Sequence, residues 1–380
     1  MRIAVPRETT PGEARVAIVP ETIKRLVGKK LEVVVEAGAG AGARVSDGEY
    51  QAAGATIAPD ARALYAAGDV IVKVQAPRPE EVLLASEGAA LVSLLYPMVN
   101  VELVKALAAR KLTVFAADMI PRTTLAQMMD VLSSQATIAG YRAVILAAHV
   151  LPKLFPMLMT AAGTIAPARV LVLGAGVAGL QAIATARRLG AVVEAFDVRK
   201  VAKEQVESLG AKFVEVDSPE DAQGAGGYAK ESTDEYKKKQ AELLLRHVSK
   251  CDACITTALI PGRRAPILLT AEMVRSMRDG SVVVDLAAEQ GGNCELTRPG
   301  ETIVVGGVTI VGERNLPSSM SVHASQMYSR NMEKLLLHLV ADGAFKMNLE
   351  DEITRGCLIA QGGEILHAAV LDAAAPKGGA

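Results

Sequence analysis

Three glycines, Gly174, Gly176 and Gly179, stand at G-x-G-x-x-G spacing between a strand-like run, Arg169-Val-Leu-Val-Leu173, and an Ala-rich helical stretch. In that setting each has a distinct use. Gly174 allows the tight turn, Gly176 lets a pyrophosphate approach the backbone, and Gly179 lets helix and strand pack closely. The N–H groups and dipole of the helix N-terminus then hold the anion, with Val177 and Ala178 in the same turn. Alone, such a triplet is weak, because glycines also serve plain strand–helix packing. Here the strand precedes it and the helix follows it.

A second strand-like run, Val192–Val198, carries Asp197, 18 residues after Gly179. An acidic side chain there accepts hydrogen bonds from the hydroxyls of an adenosine ribose. It favours NAD and repels the 2′-phosphate of NADP, although Arg199, two residues on, is of a type that accommodates that phosphate. The sequence therefore predicts an NAD(H) site that includes Asp197, Val198 and Arg199. Ala258 and Leu259, at the end of a later strand, are further candidate contacts. So are Gly227 and Tyr228 in the loop Asp217–Ser232, whose length suggests a lid, a binding loop or a disordered connector.

Holding these groups requires a layered fold. With 380 residues, two or three domains are expected. Half the residues are apolar, so disorder is excluded, yet aromatics are 3% and Trp is absent. The core must therefore be Ala, Val, Leu and Ile, as in parallel sheets covered by Ala-rich helices. Strands are predicted at Arg2–Val5, Leu31–Glu36, Asp69–Val74, Ala90–Tyr96 and Leu112–Asp118. After about residue 165 they recur at Arg169–Leu173, Val192–Val198, Lys212–Asp217, Ala253–Ala258, Ser281–Leu286 and Val308–Val311. Helical patterns fall between them: Pro20–Leu26, Asp60–Ala67 and Asn100–Arg110, the last with an N-cap-type Asn. The expected fold class is α/β: two Rossmann-like doubly wound parallel-sheet domains joined by the long helices Ser134–Val150 and Ser318–Val340, with a cleft between them. The expected domains are 1–132 with 318–380, and 133–317.

Other features narrow the function. Forty-one basic against 42 acidic residues argue against a nucleic-acid binder. Four cysteines form no disulfide framework and suggest a reducing compartment. Cys251-Asp-Ala-Cys254 could be a redox pair or half a metal site, but buried structural thiols are the simpler reading. No metal-ligand cluster, P-loop or nucleophile elbow is found. Lys237–Lys239 reads as a solvated helix face, and Met157–Met159 as core or subunit packing. The apolar stretch Leu154–Ala168 is too short and too rich in Pro and Gly to span a bilayer, and no membrane-spanning segment is expected.

Pro11-Gly-Glu-Ala-Arg-Val-Ala, Glu36-Ala-Gly-Ala-Gly, Val72-Lys-Val-Gln-Ala-Pro and Asp285-Leu-Ala-Ala-Glu-Gln-Gly-Gly resemble the alanine dehydrogenase and nicotinamide nucleotide transhydrogenase superfamily over essentially the whole chain. The resemblance implies one of two chemistries. An alanine dehydrogenase holds a carboxylate with an Arg and a Lys, matched here by Arg15 and Lys73, and moves a proton with a His and an Asp. Those last two positions hold Tyr96 and Glu289. None of the five histidines, His149, His247, His323, His338 and His367, falls in the required motif. Oxidative deamination is therefore not expected.

Hydride transfer between two nicotinamides needs no such groups. It needs one ring oriented through its carboxamide and water excluded. Arg122-Thr-Thr-Leu-Ala-Gln-Met-Met-Asp-Val-Leu-Ser-Ser134 offers Arg122, Gln127, Asp130 and Ser133 for this. The segment is similar to the loop with which the NAD(H)-binding component of proton-translocating transhydrogenases holds the dihydronicotinamide. By that resemblance Arg122, Asp130 and Ser133 contact the cofactor, and Gln127 reaches towards NADP(H) on a partner subunit. Tyr141 also matches a family position. The plainer alternative is a helix start with Met128, Met129, Val131 and Leu132 as core and the polar residues solvated. The resemblance further implies a homodimer that docks on an NADP(H)-binding subunit and a membrane proton-channel subunit. Such a protein would be cytoplasmic and peripheral at the cytoplasmic face of the inner membrane. The chain's end at Ala380 fits a separate-subunit arrangement. The alternatives are a soluble alanine-type amino-acid dehydrogenase and a non-catalytic NAD-sensing module.

Overall fold

Alternate residues of the short apolar strands supply two separate cores, one on each face of a sheet. In β1 (Arg2–Val5), Ile3 and Val5 join one cluster and Ala4 the other. The same alternation splits β2 (Glu32–Glu36), β4 (Val70–Val72) and β6 (Thr113–Ala116). Such two-sided burial is why these runs are continuously apolar. The structure, a computed structural model, describes residues 1–216, 233–259, 264–341, 343–345 and 347–375. Within these, the contacts divide the chain into Met1–Gln135 with Ser318–Ala380, and Ala136–Pro317. The break anticipated at 132/133 thus lies at 135/136, inside the helix Val131–Val150. Gln135 belongs with the first unit because its side chain bonds Arg15 and the Ala324 carbonyl.

The first unit's sheet adds β3 (Thr56–Ala58) and β5 (Ala90–Ser93), and β1 to β6 are parallel. Its order is β19-β18-β6-β5-β4-β1-β2-β3, where β18 (Leu358–Gln361) and β19 (Glu364–Ile365) form an antiparallel edge that periodicity did not reveal. The helix Ser321–Leu339 closes one face, burying Tyr328, Met332, Leu335, Leu336 and Leu339 at about 1.5–3 kcal/mol each. A short antiparallel pair, β16 (Val340–Ala341) and β17 (Ala344–Phe345), follows it. Asn100 precedes its helix as expected but does not cap it with its side chain; its Nδ2 instead donates to the Leu95 carbonyl at 2.7 Å.

The second unit contains β9 (Arg169–Leu173), β10 (Val192–Phe196), β11 (Lys212–Val214), β12 (Ala253–Thr256), β13 (Val282–Asp285), β14 (Thr302–Val305) and β15 (Val308–Val311). The order is β11-β10-β9-β12-β13-β15-β14, parallel except for β14. Between β9 and β12 the winding reverses, so the crevice beyond their C-terminal ends is the ligand position of this architecture. Two doubly wound α/β units are therefore present, as expected.

Some expectations change. Leu154–Ala168 carries an antiparallel hairpin, β7 (Leu158–Thr160) with β8 (Gly163–Ile165), whose residues are all exposed. Met157 and Met159 are exposed too, so they are not core. The helix Val131–Val150 is long and apolar enough to cross a membrane by length and composition. Its Val131 lies in the first unit's core, and Ala143, Val144, Leu146 and Ala147 lie in the second's, as in a core helix of a layered protein. All four cysteines are buried and free, Lys237 to Lys239 are exposed on a helix, and no metal-binding cluster occurs among the described residues.

Candidate functional site

The glycine turn has the geometry its spacing requires. Gly174 follows β9 with φ of +101°, a left-handed conformation that disfavours any side chain. A Cβ on Gly179 would lie 1.8 Å from the Gly174 carbonyl oxygen, so helix and strand meet as closely as only glycine permits. A Cβ on Gly176 would meet nothing within 4 Å. Gly176 precedes the helix Val177–Arg188, whose first N–H groups have no intrahelical acceptor. Room, orphan donors and dipole therefore coincide where a pyrophosphate would fit.

Asp197, just beyond β10, ties this turn to the neighbouring strand. One carboxylate oxygen accepts from the Ala175 N–H at 2.7 Å and from Arg199 Nη2 at 2.7 Å. The other accepts from the Arg199 N–H at 2.9 Å and Nε at 2.8 Å. These four bonds match the roughly four lone-pair sites a carboxylate offers. The hydrogen bond from Arg199 is also what raises that guanidinium's pKa most. A ribose diol can therefore reach Asp197 only as the Arg199 fork yields. Val198 and Ala178 are half-buried, and Val177 is exposed.

Across the reversal point, Thr257 Oγ1 donates to the Gly174 carbonyl at 3.0 Å and Ala258 follows it. Leu259 is exposed. Sequence reasoning included Ala258 and Leu259 but missed Thr257, which carries no motif signal of its own. Gly227 and Tyr228, with the lid expected for Asp217–Ser232, lie outside the described residues.

Arg122, Gln127, Asp130 and Ser133 fall in the first unit. The segment is anchored by buried Ala126, Met129 and Val131 and by a 2.8 Å bond from Asn331 Nδ2 to the Met128 carbonyl. Arg122 and Gln127 are exposed. Asp130 accepts from the Ser133 N–H at 2.8 Å and from its hydroxyl at 2.5 Å, capping the helix that follows. Leu125 and Met128 are also exposed, so the reading of Met128 as core does not hold.

Arg15 and Lys73 are buried, and protein carboxylates hold both. Arg15 makes a forked pair with Glu13 at 2.8 and 2.6 Å and donates to Gln135 at 2.8 Å. Lys73 Nζ lies 2.9 Å from Glu81 and 3.4 Å from Glu8. Burial raises the Glu8 carboxyl pKa despite that ammonium. Tyr96 adopts φ of +46° and donates its N–H to Asp118, and Glu289 is exposed. His247 and His338 pair with Glu194 and Asp351.

Comparison with known proteins gives a consistent picture. A family model described as "Alanine dehydrogenase/PNT, N-terminal domain" matches residues 4–139, and "Alanine dehydrogenase/PNT, C-terminal domain" matches 143–368. A Rhodospirillum rubrum protein, named as the first portion of NAD(P) transhydrogenase subunit alpha, is 52% identical over 379 residues, 97% of this chain and 99% of that one. An alanine dehydrogenase of Halomonas elongata is 32% identical, covering 98% and 96%. The crystal structure of a transhydrogenase from Sinorhizobium meliloti superposes with a TM-score of 0.86 at 45% identity, over 97% of this chain and 100% of that one.

Proposed function

Because the chain belongs to the alanine dehydrogenase/PNT family, we propose that it is the NAD(H)-binding subunit of a proton-translocating transhydrogenase. In this reading it passes hydride directly from NADH to NADP⁺ held by a partner subunit, while a membrane partner couples the transfer to proton movement. The observation that carries this over an alanine-type dehydrogenase is the substitution of its proton-handling pair, with Tyr96 and Glu289 where the His and Asp belong. Arg15 and Lys73 are in addition already paired with glutamates, which a substrate carboxylate would have to displace.

Gly174, Gly176, Gly179, Val177 and Ala178 would hold the pyrophosphate against the helix N-terminus, and Asp197 the adenosine ribose. Bound NADH supplies the hydride. Arg122, Asp130 and Ser133 orient the carboxamide; Asp130 and Ser133 enter this task already ordered by their mutual bond. Gln127, exposed on the same segment, would reach towards NADP(H) on the partner subunit. No group need donate or accept a proton at the reacting carbons, which agrees with the lack of a histidine in the motif.

The reading includes a homodimer and peripheral attachment at the cytoplasmic face of the inner membrane through partners. Support for the dimer comes from the apolar exposed hairpin, with Leu158, Met159 and Ile165 at 41%, 72% and 47% exposure. Purified chain mixed with an NADP(H)-binding transhydrogenase component tests the function. Transfer from NADH to an NADP⁺ analogue that needs both proteins supports it. Turnover of pyruvate, ammonia and NADH by this chain alone overturns it. A monomer in light scattering at micromolar concentration overturns the dimer.

A further inference from the structure

We propose that Asn293 is a positioning residue of the dinucleotide crevice, holding the Ala258 peptide where the nicotinamide half of the cofactor lies; this rests on the NAD(H) site proposed above. The placement follows from topology. The glycine turn takes the pyrophosphate after β9, and Asp197 takes the adenosine ribose on the β10 side of it. The other half of the dinucleotide must then cross to the opposite side, over the end of β12.

Beyond Thr256 the β12 ladder has ended, so the Ala258 peptide needs other partners. Asn293, fully buried, provides them. Its Oδ1 accepts the Ala258 N–H at 2.9 Å, and its Nδ2 donates to the Ala258 carbonyl and to the Pro266 carbonyl, both at 2.8 Å. One side-chain amide thus clamps both polar groups of Ala258 and bonds Pro266 as well. The neighbouring Thr257 hydroxyl bonds the Gly174 carbonyl, so the clamp is continuous with the glycine turn.

Asn293 is itself held by a buried hub. Asp285, at the end of β13, accepts the N–H groups of Asn293 at 2.8 Å and Cys294 at 3.0 Å, and the Thr297 hydroxyl at 2.6 Å, on one oxygen. Its other oxygen accepts from Thr256 Oγ1 and the Ala287 N–H, both at 2.9 Å. Gly291 and Gly292 make this possible with φ of +96° and +78°, and a Cβ on Gly292 would lie 2.9 Å from that carboxylate. The chain from Asp285 to Asn293 therefore has a specific product, an amide aimed at the peptide lining the crevice.

The test compares NADH with ADP, which keeps the adenosine ribose and pyrophosphate but lacks the nicotinamide riboside, on full-length chain carrying Asn293→Ala or the milder Asn293→Ser. Folding is checked by circular dichroism. Losing the clamp should raise the NADH Kd about tenfold while the ADP Kd stays within about twofold, because a positioning role acts on the half of the ligand that ADP lacks. Equal weakening of both ligands would mark Asn293 as merely structural, and unchanged NADH binding would also overturn the proposal. The ratio of the two affinities in Asn293→Ser decides the matter where the alanine variant does not fold. Wild-type chain that binds ADP but not NADH would overturn this inference while sparing the adenosine site. Wild-type chain that binds neither overturns the NAD(H) reading as well.

Discussion

Replacing Asp197 by alanine separates its two duties. In the resting fold its carboxylate accepts four N–H groups, three from Arg199 and one from Ala175. A bound ribose diol could add up to two charge-assisted bonds, each worth about 1.5–3 kcal/mol. The Arg199 fork must be displaced from the same oxygens, so the net gain is close to one such bond. Asp197→Ala should therefore weaken NADH binding by about 10- to 150-fold. The same variant removes the negative charge that repels a 2′-phosphate, so NADPH affinity should rise and selectivity narrow. Because the chain has no tryptophan, NADH fluorescence can be titrated without indole emission or energy transfer. Urea denaturation checks that the fold survives the loss of the Ala175 contact. An NADH Kd within about twofold of wild type in a folded variant would refute the ribose assignment, since that is less than half of one weak hydrogen bond.

Glu13→Ala should cost about 3–5 kcal/mol of stability, because it removes the forked carboxylate that balances the buried Arg15 guanidinium; Glu13→Leu with Arg15→Met should recover most of it in denaturant melts. Gln127→Asn should slow hydride transfer by about 10–100-fold through misplacement, with NADH binding nearly intact. A large loss of binding would put Gln127 on the wrong side of the site. Gly179→Ala should abolish NADH binding in fluorescence titration, because its Cβ would overlap the Gly174 carbonyl. Burial alone would raise the Asp351 carboxyl, but the Thr354 N–H and His338 pull it down to about 2. Its stabilising contribution should therefore be complete above about pH 4 and fade as pH falls towards 2. The stability gap between wild type and Asp351→Asn should shrink over that range; a gap that grows on acidification would reverse the sign of the argument.

The sequence by itself determined the two α/β units and the glycine turn. Both depend on local rules: strands buried on two faces must be continuously apolar, and a strand–turn–helix that meets a phosphate needs glycines at fixed spacing. Arg169–Leu173 and Val308–Val311 were legible to the residue for that reason. The edge strands β18 and β19 were not, because they are short and β18 joins the sheet by pairing with β6 across more than 240 residues of chain, where no periodicity operates. Arg15 and Lys73 were legible as cations matching a carboxylate-binding pattern, but not as cations already satisfied. Only tertiary packing brings Glu81 and Glu8 to Lys73, or Gln135 to Arg15. Asn293 and Thr257 escaped for the same reason. A side chain that positions a distant peptide leaves no spacing signature, and its role exists only once β12 and β13 lie side by side.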